Sequence, residues 1–85
     1  MYGLPGIGYG GEVVTSLAGL IDAVKARQLV NPGAKLTMKI ESDVFGVRLL
    51  TNGWIELDGV VPTMAMEKAV DRVMHQRGAV LQEVA

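Results

Sequence analysis

The stretch that decides the fold is FGVRLLT-NG-WIELD, residues 45–58. Asn52-Gly53 between two apolar-rich runs is the strongest short-range signal for a β-hairpin. A loop of three residues, Thr51 to Gly53 with Gly53 in the left-handed conformation, sets Arg48 against Glu56 on one face and leaves the other face wholly apolar. A two-residue loop would mix charged and aliphatic side chains on both faces. Because a buried face fixes the register, the sequence predicts the three-residue loop.

The strand before this hairpin is read from strict alternation. Lys35–Ser42 places apolar and polar side chains on opposite faces, which is typical of a half-buried strand. If residues 41–44 form the connecting loop, Ile40 lies opposite Phe45. The apolar face of the hairpin then continues without a break. The predicted core face consists of Leu36, Met38, Ile40, Phe45, Val47, Leu49, Ile55 and Leu57.

Helices are predicted on either side of these three strands. Apolar residues recur every three or four positions from about residue 12 to residue 29, and Asn31-Pro32-Gly33 ends that pattern. Thr63 is a plausible N-cap and Gly78 a natural C-cap for a second helix. Its predicted apolar stripe is Met66, Ala69, Val70, Val73 and Met74.

The fold prediction follows from this order of elements. We expect an α+β domain spanning residues 1–85, with the order α-β-β-β-α and two helices packed on one face of a three-stranded antiparallel meander. Residues 1–11 are predicted to be a glycine-rich N-terminal arm. Residues 79–85 are predicted to be either a frayed tail or a short fourth strand.

Composition limits the classes of function. The chain has 85 residues, 49% of them hydrophobic, no cysteine, one histidine and a net charge of −1. Disulfides and thiolate metal sites are therefore excluded, and the strong basic charge typical of nucleic-acid binders is missing. Without a membrane-spanning apolar run or a signal peptide, the expected location is the cytoplasm.

The candidate catalytic groups lack the partners that catalysis needs. His75 lies four residues after Asp71, so the two can meet on a helix, but no nucleophile-elbow sequence accompanies them. The carboxylate pairs Glu41/Asp43 and Glu56/Asp58 lack further oxygen ligands for a metal. We predict no catalytic, metal or cofactor site, and hence a protein that is not an enzyme.

A glycine pattern near the N-terminus invites a nucleotide-binding interpretation. Gly6 to Gly11 satisfy GxGxxG, but the dinucleotide-binding mechanism needs a strand before the glycines. Too few residues precede Gly6 to form one, so a glycine-rich arm is favoured.

The same residues carry a family resemblance. YGLPG-x-G-x-G in Tyr2–Gly10 resembles a segment, also next to a helix, of small type I-F anti-CRISPR proteins. The resemblance implies a class of function and assigns no functional residue. Phage-encoded inhibitors of this class are small, poor in cysteine, and act through surfaces rather than chemistry.

The predicted outer face of the sheet is the most informative surface. An exposed tryptophan beside a leucine, framed by charged residues, has the composition of an interface anchor. Alternatively, Trp54 folds back over the sheet edge and extends the core. The predicted partner-binding residues are Lys35, Lys39, Arg48, Leu50, Trp54 and Glu56.

Two functions follow from this surface. The first is a small non-enzymatic protein-binding module, in its most concrete form a phage- or mobile-element-encoded inhibitor of a host complex. The alternative is a nucleic-acid-binding accessory protein that uses Lys35, Lys39 and Arg48. Its support is the element order, which double-stranded-RNA-binding domains share.

Self-association is the first testable expectation. A chain this short cannot cover so high an apolar fraction with two helices and three strands. We predict a homodimer at micromolar concentration, with residues 80–84 or the second helix in the contact. Light scattering coupled to size exclusion measures the mass, and a monomer at high concentration would contradict the prediction.

Overall fold

The computed structural model describes residues 11–84 and shows an α+β fold. The seven elements, in chain order, are β1 Glu12–Val14, α1 Leu17–Val30, β2 Lys35–Ile40, β3 Asp43–Leu49, β4 Ile55–Leu57, α2 Met64–Arg77 and β5 Ala79–Val84. The predicted class is confirmed, and the predicted order gains one strand at each end. Most of the predicted glycine-rich arm, including Tyr2–Gly10, lies outside the described residues.

All five strands belong to one antiparallel sheet with the order β1-β5-β2-β3-β4. The predicted meander β2-β3-β4 forms one side of this sheet. Of the two alternatives for residues 79–85, the strand is the correct one. It does not extend the meander at an outer edge but lies inside the sheet, paired with β1 on one side and β2 on the other.

The β3–β4 hairpin has the predicted register and loop. Leu50 N–H donates to the Trp54 carbonyl at 2.7 Å, which closes a loop of three residues. Gly53 in this loop has φ 86, and the Asn52 side-chain oxygen accepts the Trp54 N–H at 2.9 Å. The opposed pairs are Val47 with Leu57, Arg48 with Glu56, and Leu49 with Ile55.

The predicted register between β2 and β3 was wrong by two residues. β2 ends at Ile40, which lies opposite Asp43, so the turn is Glu41-Ser42 rather than a four-residue loop. Glu41 takes φ 54, a conformation that sequence patterns do not predict for a glutamate. A shift of two residues keeps each side chain on its own face, so the predicted core face is retained.

Helix α1 begins five residues later than predicted. Ser16 is the N-cap, and its hydroxyl accepts the Gly19 N–H at 3.0 Å. Val13 and Val14 match the helical period, but they pair with β5 as strand β1. β-branched residues suit a strand, and pairing with a distant segment decided between the two structures. The predicted end is confirmed, since Asn31 is the C-cap.

Helix α2 begins and ends at the predicted caps. Thr63 Oγ1 accepts the Met66 N–H at 3.2 Å, and Gly78 ends the helix with φ 73. Its predicted apolar stripe is only partly used, because Met74 alone is buried. Met66 was expected in the core and is 40% exposed.

Because α2 packs only partly against the sheet, a groove of about 250 Å³ remains between the helix and the β2–β3 end of the sheet. Ile40 and Phe45 lie on the sheet side of this groove, and Ala69, Val70 and Val73 lie on the helix side. Phe45 is half-buried for this reason, whereas the sequence predicted it in the core.

One hydrophobic core joins both helices to one face of the sheet. Six of the eight predicted core residues are buried, and Phe45 and Leu49 are half-buried against the same cluster. Strands β1 and β5 add Val14, Ala79 and Leu81, which the three-stranded prediction could not include. The buried residues are Val14, Leu17, Leu20, Ile21, Ala23, Val24, Leu36, Met38, Ile40, Val47, Ile55, Leu57, Met74, Ala79 and Leu81.

A carboxylate fastens β5 to the C-terminal end of α1. Glu83 accepts hydrogen bonds from Arg27 Nη2 at 2.9 Å and from Asn31 Nδ2 at 2.8 Å. The hydrogen bond from Arg27, followed by that from Asn31, holds the pKa of the Glu83 carboxyl below its usual value. The arrangement stabilises the ionised carboxylate, so its contribution to folding is present at neutral pH and is lost on acidification.

The hairpin loop gives a stability test. Gly53→Val should lower the free energy of unfolding by about 1–2 kcal/mol, because a β-branched residue resists positive φ. Urea titration followed by the fluorescence of Trp54, the one tryptophan of the chain, measures the loss. Gly33→Val, in the exposed turn after α1, is the control. Equal stability of the two variants would contradict the assigned loop.

Candidate protein-binding surface

The two faces of the sheet are covered unequally. The helices pack on one face, where the core lies. Side chains on the opposite face come from the alternate positions of each strand, and most are exposed. We call this surface the open face. Its members are Val13, Lys35, Thr37, Lys39, Val44, Gly46, Arg48, Glu56, Val80, Gln82 and Val84.

The centre of the open face carries two exposed lysines. Lys35 and Lys39 are four residues apart on β2 and therefore project from the same face. Within residues 11–84 neither forms an ion pair or side-chain hydrogen bond. Arg48 differs, because its Nε lies 3.4 Å from Glu56 Oε1, as the sequence predicted. The lysines are therefore cations that this part of the chain leaves available to a partner.

Valines surround these lysines, and sequence reasoning did not assign them to this surface. The register aligns Val13, Val80, Lys39 and Val44 in one row across four strands. Val13 is 70% exposed and Val44 is 55% exposed. Three of these residues were missed because β1 was predicted as helix, β5 was left open, and Val44 was placed in a loop.

A shallow depression of about 450 Å³ lies at the β1–β5–β2 end of the open face. Val13 and Val80 form apolar parts of its lining, and Lys39 contributes a cation. An exposed ion pair between Arg77 and Glu41 lies at the rim. The depression combines apolar and positively charged groups.

Gly46 leaves a gap in the side-chain cover near the centre of the open face. It lies opposite Thr37 and is exposed. Its φ is not in the left-handed region, and an added Cβ would approach Asp58 Oδ1 only to 3.7 Å, an ordinary contact. Glycine is therefore not required by the local backbone. A glycine inside a strand often marks a place where another chain approaches closely.

The hairpin tip does not form the exposed anchor that the sequence favoured. Trp54 is half-buried and packs against the hydrophobic core, and Leu50 is also half-buried. Leu50 and Trp54 still face each other across the loop, as the backbone hydrogen bond between them shows. The alternative in which Trp54 extends the core is the correct one. The tip thus supports the fold, while the lysines and valines of the open face remain accessible.

His75 and Asp71 make separate contacts, although their spacing on the helix would allow them to meet. Asp71 Oδ1 accepts the Leu17 N–H at 2.8 Å, at the N-terminus of α1. His75 Nδ1 lies 3.2 Å from the Thr15 carbonyl oxygen, a hydrogen bond when Nδ1 carries the proton. Both side chains connect α2 to the start of α1, where an acidic group also suits the helix dipole.

Three of the four carboxylates in the two pairs have structural partners. Asp58 Oδ1 accepts the Gly46 N–H at 2.8 Å, while Glu56 pairs with Arg48 and Glu41 with Arg77. Among residues 11–84, no group of three or more side chains is placed to hold a metal ion.

Of the glycine pattern that suggested nucleotide binding, Gly6 to Gly10 lie outside the described residues, and only its last residue, Gly11, is described. The segment that follows Gly11 is strand β1, so the pattern does not open directly onto a helix N-terminus. Within the same described range, neither helix is both long and apolar enough to cross a membrane.

The role of Trp54 can be tested through stability. Trp54→Ala should lower the free energy of unfolding by about 2 kcal/mol or more, because it removes a large side chain packed against the core. The control, Leu29→Ala, truncates a side chain that is 86% exposed and should cost at most about 0.5 kcal/mol. Thermal and urea unfolding measure both. Equal losses would mean that Trp54 is an exposed anchor.

Comparisons of this chain with protein-family models, with curated proteins and with solved structures gave no significant match.

Proposed function

We propose that this protein is a small non-enzymatic binding module that recognises a protein partner through the open face. The observation that supports this proposal is the pairing of exposed valines with lysines that no carboxylate of the described residues engages, on the face opposite both helices. The sequence had pointed to the outer sheet face and the hairpin tip together. With Trp54 packed against the core, the proposed contact shifts toward β1, β5, β2 and β3.

The composition of the open face suits a protein partner. Single exposed valines are ordinary, but a row of them beside cationic side chains forms a connected patch. The aliphatic stems of Lys35 and Lys39 can contribute apolar contact while their ammonium groups reach charged groups of the partner. Desolvation of the valines would supply affinity, and the lysines would supply orientation.

The nucleic-acid alternative has one specific observation in its favour, because Lys35, Lys39 and Arg48 do share a face. Two features weigh against it. Arg48 is already engaged by Glu56, and valines rather than aromatic side chains flank Lys39. The analogy with double-stranded-RNA-binding domains also weakens, because the observed order is β-α-β-β-β-α-β.

The most concrete form of the proposal is a phage- or mobile-element-encoded inhibitor that acts in the cytoplasm on a host complex. The resemblance of Tyr2–Gly10 to type I-F anti-CRISPR proteins supports this form. The open face supports the broader statement independently, because it lies on strands outside that segment.

The structure also bears on where the predicted dimer would form. Residues 80–84 are part of an inner strand, so they can offer side chains but not a free strand edge along the β2 side. Helix α2 exposes Met64 by 72% and Met66 by 40%, and its residues Ala69, Val70 and Val73 line the groove at the β2–β3 end of the sheet. We therefore expect self-association through α2, which leaves the open face available to a foreign partner.

Matched substitutions test the proposed surface. Val44→Asp places a carboxylate on the open face, and Val30→Asp makes the same change at the exposed end of α1, where Val30 is 73% exposed. Immobilised wild-type protein and both variants would be compared for quantitative capture of partners from host lysate. We expect Val30→Asp to retain the specific partner and Val44→Asp to lose about 90% or more of it, because the new carboxylate interrupts the apolar row and, lying opposite Lys39, competes with the partner for the ammonium group.

Two results would contradict the proposal. One is loss of the partner by Val30→Asp with retention by Val44→Asp, which would move the site to the end of α1. The other is the absence of any specific partner while a labelled oligonucleotide binds with salt dependence typical of phosphate contacts. Circular dichroism and unfolding curves confirm that both variants are folded.

A further inference from the structure

We infer that the partner contributes an extended acidic segment that lies along β2 on the open face, with two carboxylates four residues apart opposite Lys39 and Lys35. This inference rests on the proposed function and names the chemistry of the partner. The two lysines, the glycine between their rows and the flanking valines carry the argument.

Spacing is the first element of the argument. Lys35 and Lys39 project from the same side of one strand, four residues apart. At about 3.3 Å per residue, their Cα atoms are separated by roughly 13 Å along β2. An extended partner segment has the same rise per residue and also returns side chains to one side at every second position. Carboxylates at positions i and i+4 of such a segment therefore match the two ammonium groups.

Between the lysines, the side-chain cover is lower on the β3 side than on the β5 side, where the exposed Gln82 lies opposite Thr37. Thr37 occupies the intermediate position on β2, and Gly46 lies opposite it on β3. Gly46 presents no side chain, although an added Cβ would find ordinary contacts there. A partner backbone can thus come close to the sheet midway between the two lysines. This is the place where a segment that spans both must cross.

Apolar contacts flank the path of this segment. Val44 and Val80 lie on either side of Lys39, and Val84 lies beside Lys35. Aliphatic side chains at the remaining positions of the partner segment would cover these valines. The partner segment that suits this surface therefore combines acidic and aliphatic residues. A segment with charged residues throughout would leave the valines exposed to water.

A second copy of this chain does not supply such a segment. No described strand carries two acidic residues four positions apart, and Glu67 and Asp71, which have that spacing, lie on helix α2. Asp71 is moreover engaged by the Leu17 N–H. Two open faces placed against each other would bring the lysines of both copies into one interface without carboxylates to pair with them, which costs free energy. The occupant is therefore a foreign acidic protein segment.

Peptide display reveals the residue types that the open face selects. A random 12-residue library would be selected on immobilised wild-type protein and, in parallel, on Val44→Asp and on the double variant Lys35→Glu/Lys39→Glu. We expect wild-type selections to be enriched in Asp and Glu at i and i+4 with aliphatic residues between them. The double variant should select basic residues at these positions instead.

Affinities of a selected acidic peptide then test the contact. Fluorescence anisotropy should show a loss of about tenfold or more for Lys35→Glu/Lys39→Glu. The matched control Lys25→Glu/Lys68→Glu changes the net charge equally on the two helices and should leave the affinity within about twofold. Gly46→Val should also weaken binding while preserving the fold, because it fills the gap in the open face.

The outcomes separate this inference from the proposed function. Neutral or basic peptides that bind wild type but not Val44→Asp would overturn the acidic partner and support the open face as a protein-binding site. Peptides that bind Val44→Asp and wild type equally would overturn both. If Lys35→Glu/Lys39→Glu and Lys25→Glu/Lys68→Glu lost the same affinity for the peptide, the effect would be one of net charge, and the assigned contact would be overturned. Binding of a labelled oligonucleotide at physiological salt, with no peptide enriched, would overturn the protein partner.

Discussion

The pairing of β5 on both of its edges is the constraint on which the rest of the structure depends. β5 joins β1 to β2, so residues near both ends of the described chain meet in one sheet. Its inward side chains Ala79 and Leu81 complete the core beneath α1, and Glu83 binds Arg27 and Asn31 at the far end of that helix. Without β5, β1 would have no partner strand and β2 would become an exposed edge.

The placement of both helices on one side of the sheet leaves the opposite face without a helix. The connections on either side of α1 and α2 return both helices to the face that holds Val14, Met38 and Leu81. Asp71 reinforces this arrangement by accepting a hydrogen bond from the first turn of α1. Because successive side chains of a strand point to opposite faces, burial of Met38 in the core places its neighbour Lys39 on the opposite, exposed face. The open face is thus a consequence of the core.

The sequence predicted the elements whose determinants are local. The three-residue loop of the hairpin followed from Asn52-Gly53 and from the need for one apolar face, and the caps of α2 followed from Thr63 and Gly78. The pairing of Val13 and Val14 with β5 could not be predicted, because no local pattern specifies a partner so distant along the chain. Trp54 was ambiguous for a related reason: alternation assigned it outward, but it lies just before the start of β4, where the chain is free to fold toward the core. Only part of the candidate site could therefore be predicted from the sequence. Its lysines came from β2 alone, whereas its valines depend on three other strands.

The position of β5 also sets the order in which the molecule can be assembled. The β2-β3-β4 meander joins strands that are consecutive along the chain, and each helix forms its own local hydrogen bonds, so these elements can form quickly. The strand that lies between β1 and β2 is contributed by residues 79–84, so the sheet cannot be completed until these residues emerge during synthesis. Until then Leu36 and Met38 belong to an unpaired strand edge, a template for pairing with other chains. The long-range closure that gives this domain its core thus makes its folding late and sensitive to concentration.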